Sequence, residues 1–192
     1  MGHSQLEKQN THDRIVEIAS RRLREKGLEG IGVADLMKEA GLTVGGFYKH
    51  FASRDEMVAE AMKLAFGSWE AKVRSQGRAP ADIPMAEYSA SYLSDIHRDD
   101  VSGGCPFAAL TADLARSGEK CRSLATEQLK TNLGTMTGRM NAADEAEARR
   151  KAIIVSCLMT GAVGLARIAD DEKLSEEILE TVRSFVNGFS AK

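Results

Sequence analysis

Apolar residues recur at helical spacing along the whole of this 192-residue chain, a period that admits helices and little else. No stretch alternates with the two-residue period of a half-buried strand. Residues 12–26 set Ile15, Ile18, Ala19 and Leu23 on one stripe, with Thr11 placed to cap the helix and Gly27 to stop it. Residues 33–40 repeat the pattern with Val33, Leu36, Met37 and Ala40, and Gly41 ends them. After a turn over 41–43, in which Thr43 can cap, Val44, Phe47, Tyr48 and Phe51 line a helix over 44–51. Ser53 and Glu56 then form a capping box that opens a fourth helix, running to about residue 73.

The stretch 75–84 holds two of the three prolines and reads as a linker. Beyond it one helix carries Met85, Tyr88, Tyr92, Leu93 and Ile96, and another opens on Pro106 with Phe107, Leu110 and Leu114. A third carries Leu129, Leu133, Met136 and Met140. Residues 144–169 form a long helix apolar on almost every side, and Leu174, Ile178, Val182, Phe185 and Phe189 line the last. The fold class is all-α.

Composition narrows the function classes. A hydrophobic share of 43% and a charged share of 28% suit a soluble globular chain. Net charge is −2, and residues 1–64 carry 10 basic and 10 acidic side chains, so any nucleic-acid footprint is a local patch. Three widely spaced cysteines make no disulfide framework, the opening "MGHSQLEKQNTHDR" lacks an apolar signal core, and the run 152–166 is too short for a bilayer. These features point to the cytoplasm and away from a membrane. His3, His12, His50 and His97 do not cluster with cysteines or acids at ligand spacing, and no phosphate-loop, HExxH or GxSxG pattern occurs. No metal, no cofactor and no catalytic residue is expected.

Helix 33–40, a glycine turn and helix 44–51 have the spacing of a helix-turn-helix, whose second helix enters the major groove of DNA. Gly45 and Gly46 each cost that second helix about 1 kcal/mol relative to alanine. Bare backbone that must come close to phosphate or base edges gives a reason for the pair. Tyr48, Lys49 and His50 supply a hydroxyl, a cation and an imidazole, and Arg54 a further phosphate contact. Tyr48 also shares a stripe with Val44 and Phe51, so core packing is open for it as well.

The run "AGLTVGGFYKHFASRDEM", within the stretch 11–58, resembles the TetR family of transcriptional repressors. The resemblance implies an all-helical homodimer with an N-terminal helix-turn-helix DNA-binding domain, 1–52, and a C-terminal effector-binding and dimerisation domain, 53–192. Its partners would be double-stranded operator DNA and a small-molecule effector whose binding releases the operator. Thr43, Val44, Gly45, Gly46, Tyr48, Lys49, His50 and Arg54 fall at the DNA-contacting positions. Two residues depart from the family pattern. Gly32 replaces a Ser or Thr cap, and Val44 stands where Lys is frequent, removing one phosphate contact.

For the rest of the chain, Phe66, Trp69, Tyr88, Tyr92, Phe107, Leu110, Met136 and Met140 are candidate walls of a pocket for a small apolar effector, drug-sized or lipid-like, with ordinary core packing as the other possibility. Cys105 precedes Pro106 at a helix start, where the dipole favours thiolate; it reads either as a reactive sensor or as a small buried residue. Cys121 and Cys157 look inert. Ile154, Leu158, Gly161, Ala162 and Leu165, with Ile178, Val182 and Phe185, are candidates for a subunit interface, the other possibility being burial within one monomer. A small helical enzyme, or a protein-interaction module with a merely structural helix-turn-helix, remains an open alternative.

Overall fold

The computed structural model describes residues 2–190 and the side chains of 5–189, so His3 lies outside the described side chains. Among the described residues all regular structure is helical. Helix α1 (Gly2–Lys26) starts well before the expected residue 12. Thr11 therefore does not cap it; from inside the helix its hydroxyl donates to Glu7 O at 2.8 Å. α2 (Val33–Glu39) ends in paired bonds from Leu42 N to Met37 O (2.8 Å) and Gly41 N to Lys38 O (3.0 Å). That closure needs a left-handed residue, and Gly41 supplies it at φ 70°.

The next segment differs from expectation. Val44–Lys49 is a 3-10 helix, with Gly46 N bonded to Thr43 O at 2.9 Å and His50 N to Phe47 O at 2.9 Å. Six residues containing two adjacent glycines have too little propensity to sustain an α-helix, and the Thr43 side chain makes no capping bond. α3 (Arg54–Ser75) opens on the capping box as expected: Glu56 N donates to Ser53 Oγ at 3.1 Å, and Glu56 Oε2 accepts from Ala52 N at 2.6 Å.

The expected single helix through 85–96 is two. α4 (Met85–Tyr92) stops at buried Leu93, and Ser94 caps α5 (Asp95–Asp99) by accepting from His97 N at 3.2 Å. The break turns Ile96 outward to 82% exposure, so it is not on the packed stripe. α6 (Pro106–Arg116) starts on its proline, and α7 (Glu119–Thr137) ends before Met140. α8 (Glu145–Ile168) is capped by Asp144, which accepts from Glu147 N at 2.7 Å, and α9 (Glu172–Ser190) closes the described chain.

At 24 residues α8 is long and apolar enough to cross a membrane by length and composition, against the expectation drawn from 152–166. One face of it packs as core. Ala152, Val155, Met159, Val163 and Ala166 are buried against neighbouring helices. Ala162 turns inward with them at 3% exposure, so it is core and not interface; one residue along a helix rotates a side chain by about 100°.

Two apolar cores result. The first joins α1, α2, the 3-10 helix and α3 to α6 and the start of α7 through Leu23, Met37, Phe47, Phe51, Met62 and Leu110. The second joins α4, the end of α7, α8 and α9 through Met136, Val155, Met159, Leu179 and Val186. The N-terminal core thus reaches across residue 52 into helices of the C-terminal part.

Candidate nucleic-acid interface and effector cluster

Phe47 and Phe51, with ring centroids 5.2 Å apart, anchor the 3-10 helix in the first core. Held that way, Thr43, Val44, Gly45, Tyr48 and Lys49 face outward. Tyr48 is 74% exposed, which excludes the core reading for it. The two glycines have no internal reason to be glycine. Neither has a positive φ. A Cβ on Gly45 would meet nothing within 4 Å, and one on Gly46 would make ordinary contacts, 3.5 Å to Met37 Cε and 3.8 Å to Thr43 Oγ1.

His50 and Arg54 depart from the expected phosphate-contacting role. His50 is half-buried, its Nδ1 enclosed without a hydrogen-bond partner, and its ring lies 6.0 Å from that of His12. Burial pushes its pKa down, and His12, Lys8 and Lys49 push it further, so the imidazole is neutral near pH 7 and brings no cation to a phosphate. Arg54 is used inside the fold: Nη2 donates to Leu28 O at 2.5 Å and Nε to Ile31 O at 3.2 Å, with Glu29 at 3.6 Å. It clamps the loop between α1 and α2.

The early start of α1 brings residues to this face that the sequence pattern missed. Glu7, Lys8 and Thr11 line a 520 Å³ cleft with Lys49 and His50. Continuous helix formers through residues 5–9 were the available signal. Nearby, His12 Nε2 lies 2.7 Å from Glu60 Oε2 and its ring stacks on Phe51 at 4.6 Å, tying α1 to α3 beside the recognition turn.

The expected effector residues divide into three groups. Phe66 and Leu110 are buried in the first core, with the Phe107 ring tilted against Phe66 at 5.0 Å, so these pack the N-terminal core. Met136 and Met140 are buried in the second core. Trp69, Tyr88 and Tyr92 come together as a ladder, with ring separations of 5.2 Å and 5.8 Å, continued by His97 at 4.5 Å from Tyr92. Arg139, which the sequence pattern did not single out, sits over the Tyr88 ring at 4.8 Å and near Trp69 at 5.8 Å. Burial is the main cause that pushes the Tyr88 and Tyr92 pKa values up, and Cys105 adds to it, so both phenols stay neutral. The Tyr92 hydroxyl is 3.4 Å from Thr160 Oγ1.

Cys105 is at the start of α6 as expected, half-buried, with its N–H donating to His97 Nε2 at 2.8 Å. Burial pushes the Cys121 thiol up. Cys157, expected to be inert within the most apolar helix, is exposed. It belongs to a stripe along α8 of Ile154, Leu158, Gly161 and Leu165, the last 58% exposed, beside exposed Phe185 and half-buried Ile178 and Val182 on α9. Of the eight expected interface residues, Ala162 is buried in the second core, and Ile178 and Val182 are partly buried against it.

Residues 15–61 match the family model of the bacterial regulatory proteins, tetR family. The HTH-type transcriptional regulator PksA of Bacillus subtilis is 37% identical over 60 residues, 31% of this chain and 29% of that protein. The HTH-type transcriptional repressor KstR2 of Mycolicibacterium smegmatis is 26% identical over 90 residues, 45% of this chain and 43% of that protein. The matched stretch thus spans less than half the length of either curated relative. Fold similarity extends further. A TetR-family regulator from Cytophaga hutchinsonii superposes with a TM-score of 0.76 at 19% identity, over 97% of this chain and 98% of its own. The reduced form of E. coli NemR does so at 0.73 and 18%, over 95% and 97%. Residues 15–61 are thus similar to the DNA-binding segment of the tetR family of bacterial regulatory proteins, and the whole chain shares the fold of TetR-family structures.

Proposed function

We propose that the chain is a ligand-responsive, DNA-binding transcriptional regulator. It acts as a homodimeric repressor that releases a palindromic operator when a small effector binds or a thiol is modified. The names of the curated relatives, a transcriptional regulator and a transcriptional repressor, support this over the N-terminal segment they share. The observation that carries the reading is the Gly45–Gly46 pair: it weakens its own helix, is open on the outer face and is required by nothing inside the fold. Close approach to a duplex accounts for it. Thr43, Val44, Tyr48 and Lys49 flank the pair and supply contacts to phosphates and base edges.

Residues 1–52 serve as the reading head and 53–192 as the effector-binding and dimerising part. The apolar stripe of Ile154, Leu158, Gly161 and Leu165, with Ile178, Val182 and Phe185, meets its copy across a two-fold axis. That sets two recognition turns roughly 34–36 Å apart, one turn of duplex. Regulation is a shift between a spacing that fits the operator and one that does not, with α3 as the lever. The protein works in the cytoplasm and requires no chemical step.

Selection of genomic fragments by the purified protein at low ionic strength tests the reading. Enrichment of one palindromic sequence is expected. A flat profile, with no fragment retained above background, refutes it.

A further inference from the structure

Three arginines, far apart in sequence, converge around the Tyr88–Tyr92–Cys105 cluster. Arg24, on α1, is 6% exposed. Its Nη1 donates to Gly104 O at 3.3 Å and to Ser68 Oγ at 3.5 Å, its Nη2 to Ser20 Oγ at 3.4 Å, and its Nε is enclosed with no partner. Arg167, on α8, donates from Nε to Arg98 O and from Nη2 to His97 O, both at 2.9 Å, and its Nη1 is enclosed with no partner. Arg139 donates to Ile83 O at 3.0 Å and to Pro80 O. Every acceptor these cations have is neutral.

Several other arginines meet carboxylates: Arg21 and Arg22 pair with Glu39, Arg78 with Glu87, Arg98 with Asp99. Among the described residues Arg24, Arg139 and Arg167 form no such pair. Asp100 acts on Arg24 and Arg167 through space, but its Oδ1 already accepts from Gly103 N at 2.7 Å and Ser102 Oγ at 3.0 Å. Burial pushes all three guanidinium pKa values down. A buried cation is ordinarily paired, because desolvation is costly without a counter-charge.

Arg24 and Arg167 border the same corner. Arg24 holds Gly104 O, and a Cβ on Gly104 would lie 3.0 Å from Arg167 Nη2 and 2.7 Å from Asp100 O, so only glycine fits between them. Cys105 follows at once, capping an α6 whose first N–H groups receive no side-chain bond from it. The aromatic ladder adjoins the corner through His97, which stacks near Tyr92 and accepts from Cys105 N.

We propose that the Arg24–Arg167 pair at the Gly104–Cys105 corner seats the headgroup of an anionic effector, an oxyanion such as a carboxylate or sulfonate, whose aromatic body lies against Trp69, Tyr88 and Tyr92. This rests on the effector reading above and gives it a ligand class. The unpartnered Nε and Nη1 hydrogens become the donors to the headgroup, whose charge adds a direct partner to the through-space charge of Asp100.

The test is fluorescence titration of the full chain with 1-anilinonaphthalene-8-sulfonate and with its uncharged counterpart N-phenyl-1-naphthylamine. The sulfonate should bind about tenfold tighter or more, the worth of one charge-assisted hydrogen bond. Arg24→Met and Arg167→Met should each remove that preference while leaving the neutral probe bound as before, and Arg167→Lys should keep part of it. Circular dichroism shows which variants fold; if Arg24→Met does not, Arg167→Met and Arg167→Lys carry the decision. Equal binding of the two probes overturns the proposal. So does a preference that survives in the folded methionine variants. Fragment binding on the same preparations separates the two readings: DNA bound without a sulfonate preference sinks the anion site alone, and a sulfonate preference without DNA binding sinks the regulator.

Discussion

Replacing Gly45 with alanine should strengthen the fold and weaken the function, and the two effects can be read separately. The new Cβ meets nothing within 4 Å, and the backbone there needs no positive φ. Alanine therefore fits without strain and reduces the freedom of the unfolded chain, a gain of about 0.4–1 kcal/mol. For a chain of this length that is a rise in melting temperature of about 1–4 °C. At Gly46 the methyl would sit 3.5 Å from Met37 Cε, an ordinary contact, so a gain of similar size is expected. On DNA the signs reverse. A methyl on the outward face holds the backbone off the duplex, and loss of one hydrogen bond to phosphate costs about 1.5–3 kcal/mol, or roughly 10–100-fold in affinity. Gly45 is exposed and Gly46 half-buried, so Gly45→Ala should lose more affinity. Thermal unfolding at fixed protomer concentration and fluorescence anisotropy on the selected operator measure the two. A Gly45→Ala protein that melts lower than the parent, or binds the operator as tightly, refutes the assignment of the pair to DNA approach.

Other perturbations follow from the same geometry. Lys49→Ala should lower the slope of log affinity against log salt by about two, one contact from each protomer, and leave thermal stability within about 0.5 kcal/mol; an unchanged slope removes Lys49 from the phosphate contacts. Arg54→Ala should do the opposite, costing about 1.5–3 kcal/mol in denaturant unfolding through the lost bonds to Leu28 O and Ile31 O while the salt slope stays put. Leu165→Asp, placed on the exposed α8 stripe, should yield monomers by light scattering that still show the helical signal; a dimer that persists moves the interface elsewhere. His97 fixes a pH dependence. Burial lowers its pKa from the ordinary 6.5, and its Nδ1 lies 2.6 Å from Tyr92 O while Nε2 accepts from Cys105 N, which requires the neutral ring. The folded chain binds fewer protons there than the unfolded one, so the contribution is complete above pH 6.5 and lost as pH falls through the lowered value. His50 acts with the same sign. Unfolding midpoints should drop on acidification below 6.5, less so in His97→Gln. A drop that is undiminished in that variant would remove His97 as its source.

The reading head was legible because its signals are local. Gly41, the Ser53–Glu56 box and the spacing of Phe47 and Phe51 each act over one helical turn, and the structure uses all of them. What stayed hidden depends on partners or on rotation. Arg54 looks like a free cation beside a cap, yet its long side chain reaches back to carbonyls at 28 and 31. The apolar residues of 144–169 show that the helix has several partners, but the one-residue difference between core Ala162 and exposed Gly161 depends on how α8 is rotated against α7 and α9. Polar residues 2–10 carry no apolar stripe, so the extra turns of α1 left no periodic trace. Arg24 lies on α1, Arg139 in the turn after α7 and Arg167 on α8, far apart in sequence.

In the regulator and anion site proposed above, α1 joins the effector to the operator. α1 carries Arg24 against the Gly104 corner and, 12 residues earlier, His12 against Phe51 and Glu60 beside the recognition turn. At helical rise those points are about 18 Å apart on one continuous element. Binding alone does not move an equilibrium; the ligand must favour one arrangement over the other. An oxyanion that engages the spare hydrogens of Arg24 and Arg167 only when α1 and α8 approach the corner together gains two charge-assisted bonds in that state, about 3–6 kcal/mol. Moving a population from one part in a hundred to nearly all requires about 5.5 kcal/mol, so two such bonds reach the necessary scale and one does not. Both arginines must therefore act for full release. Removing either leaves a repressor that still binds its ligand weakly and holds its operator.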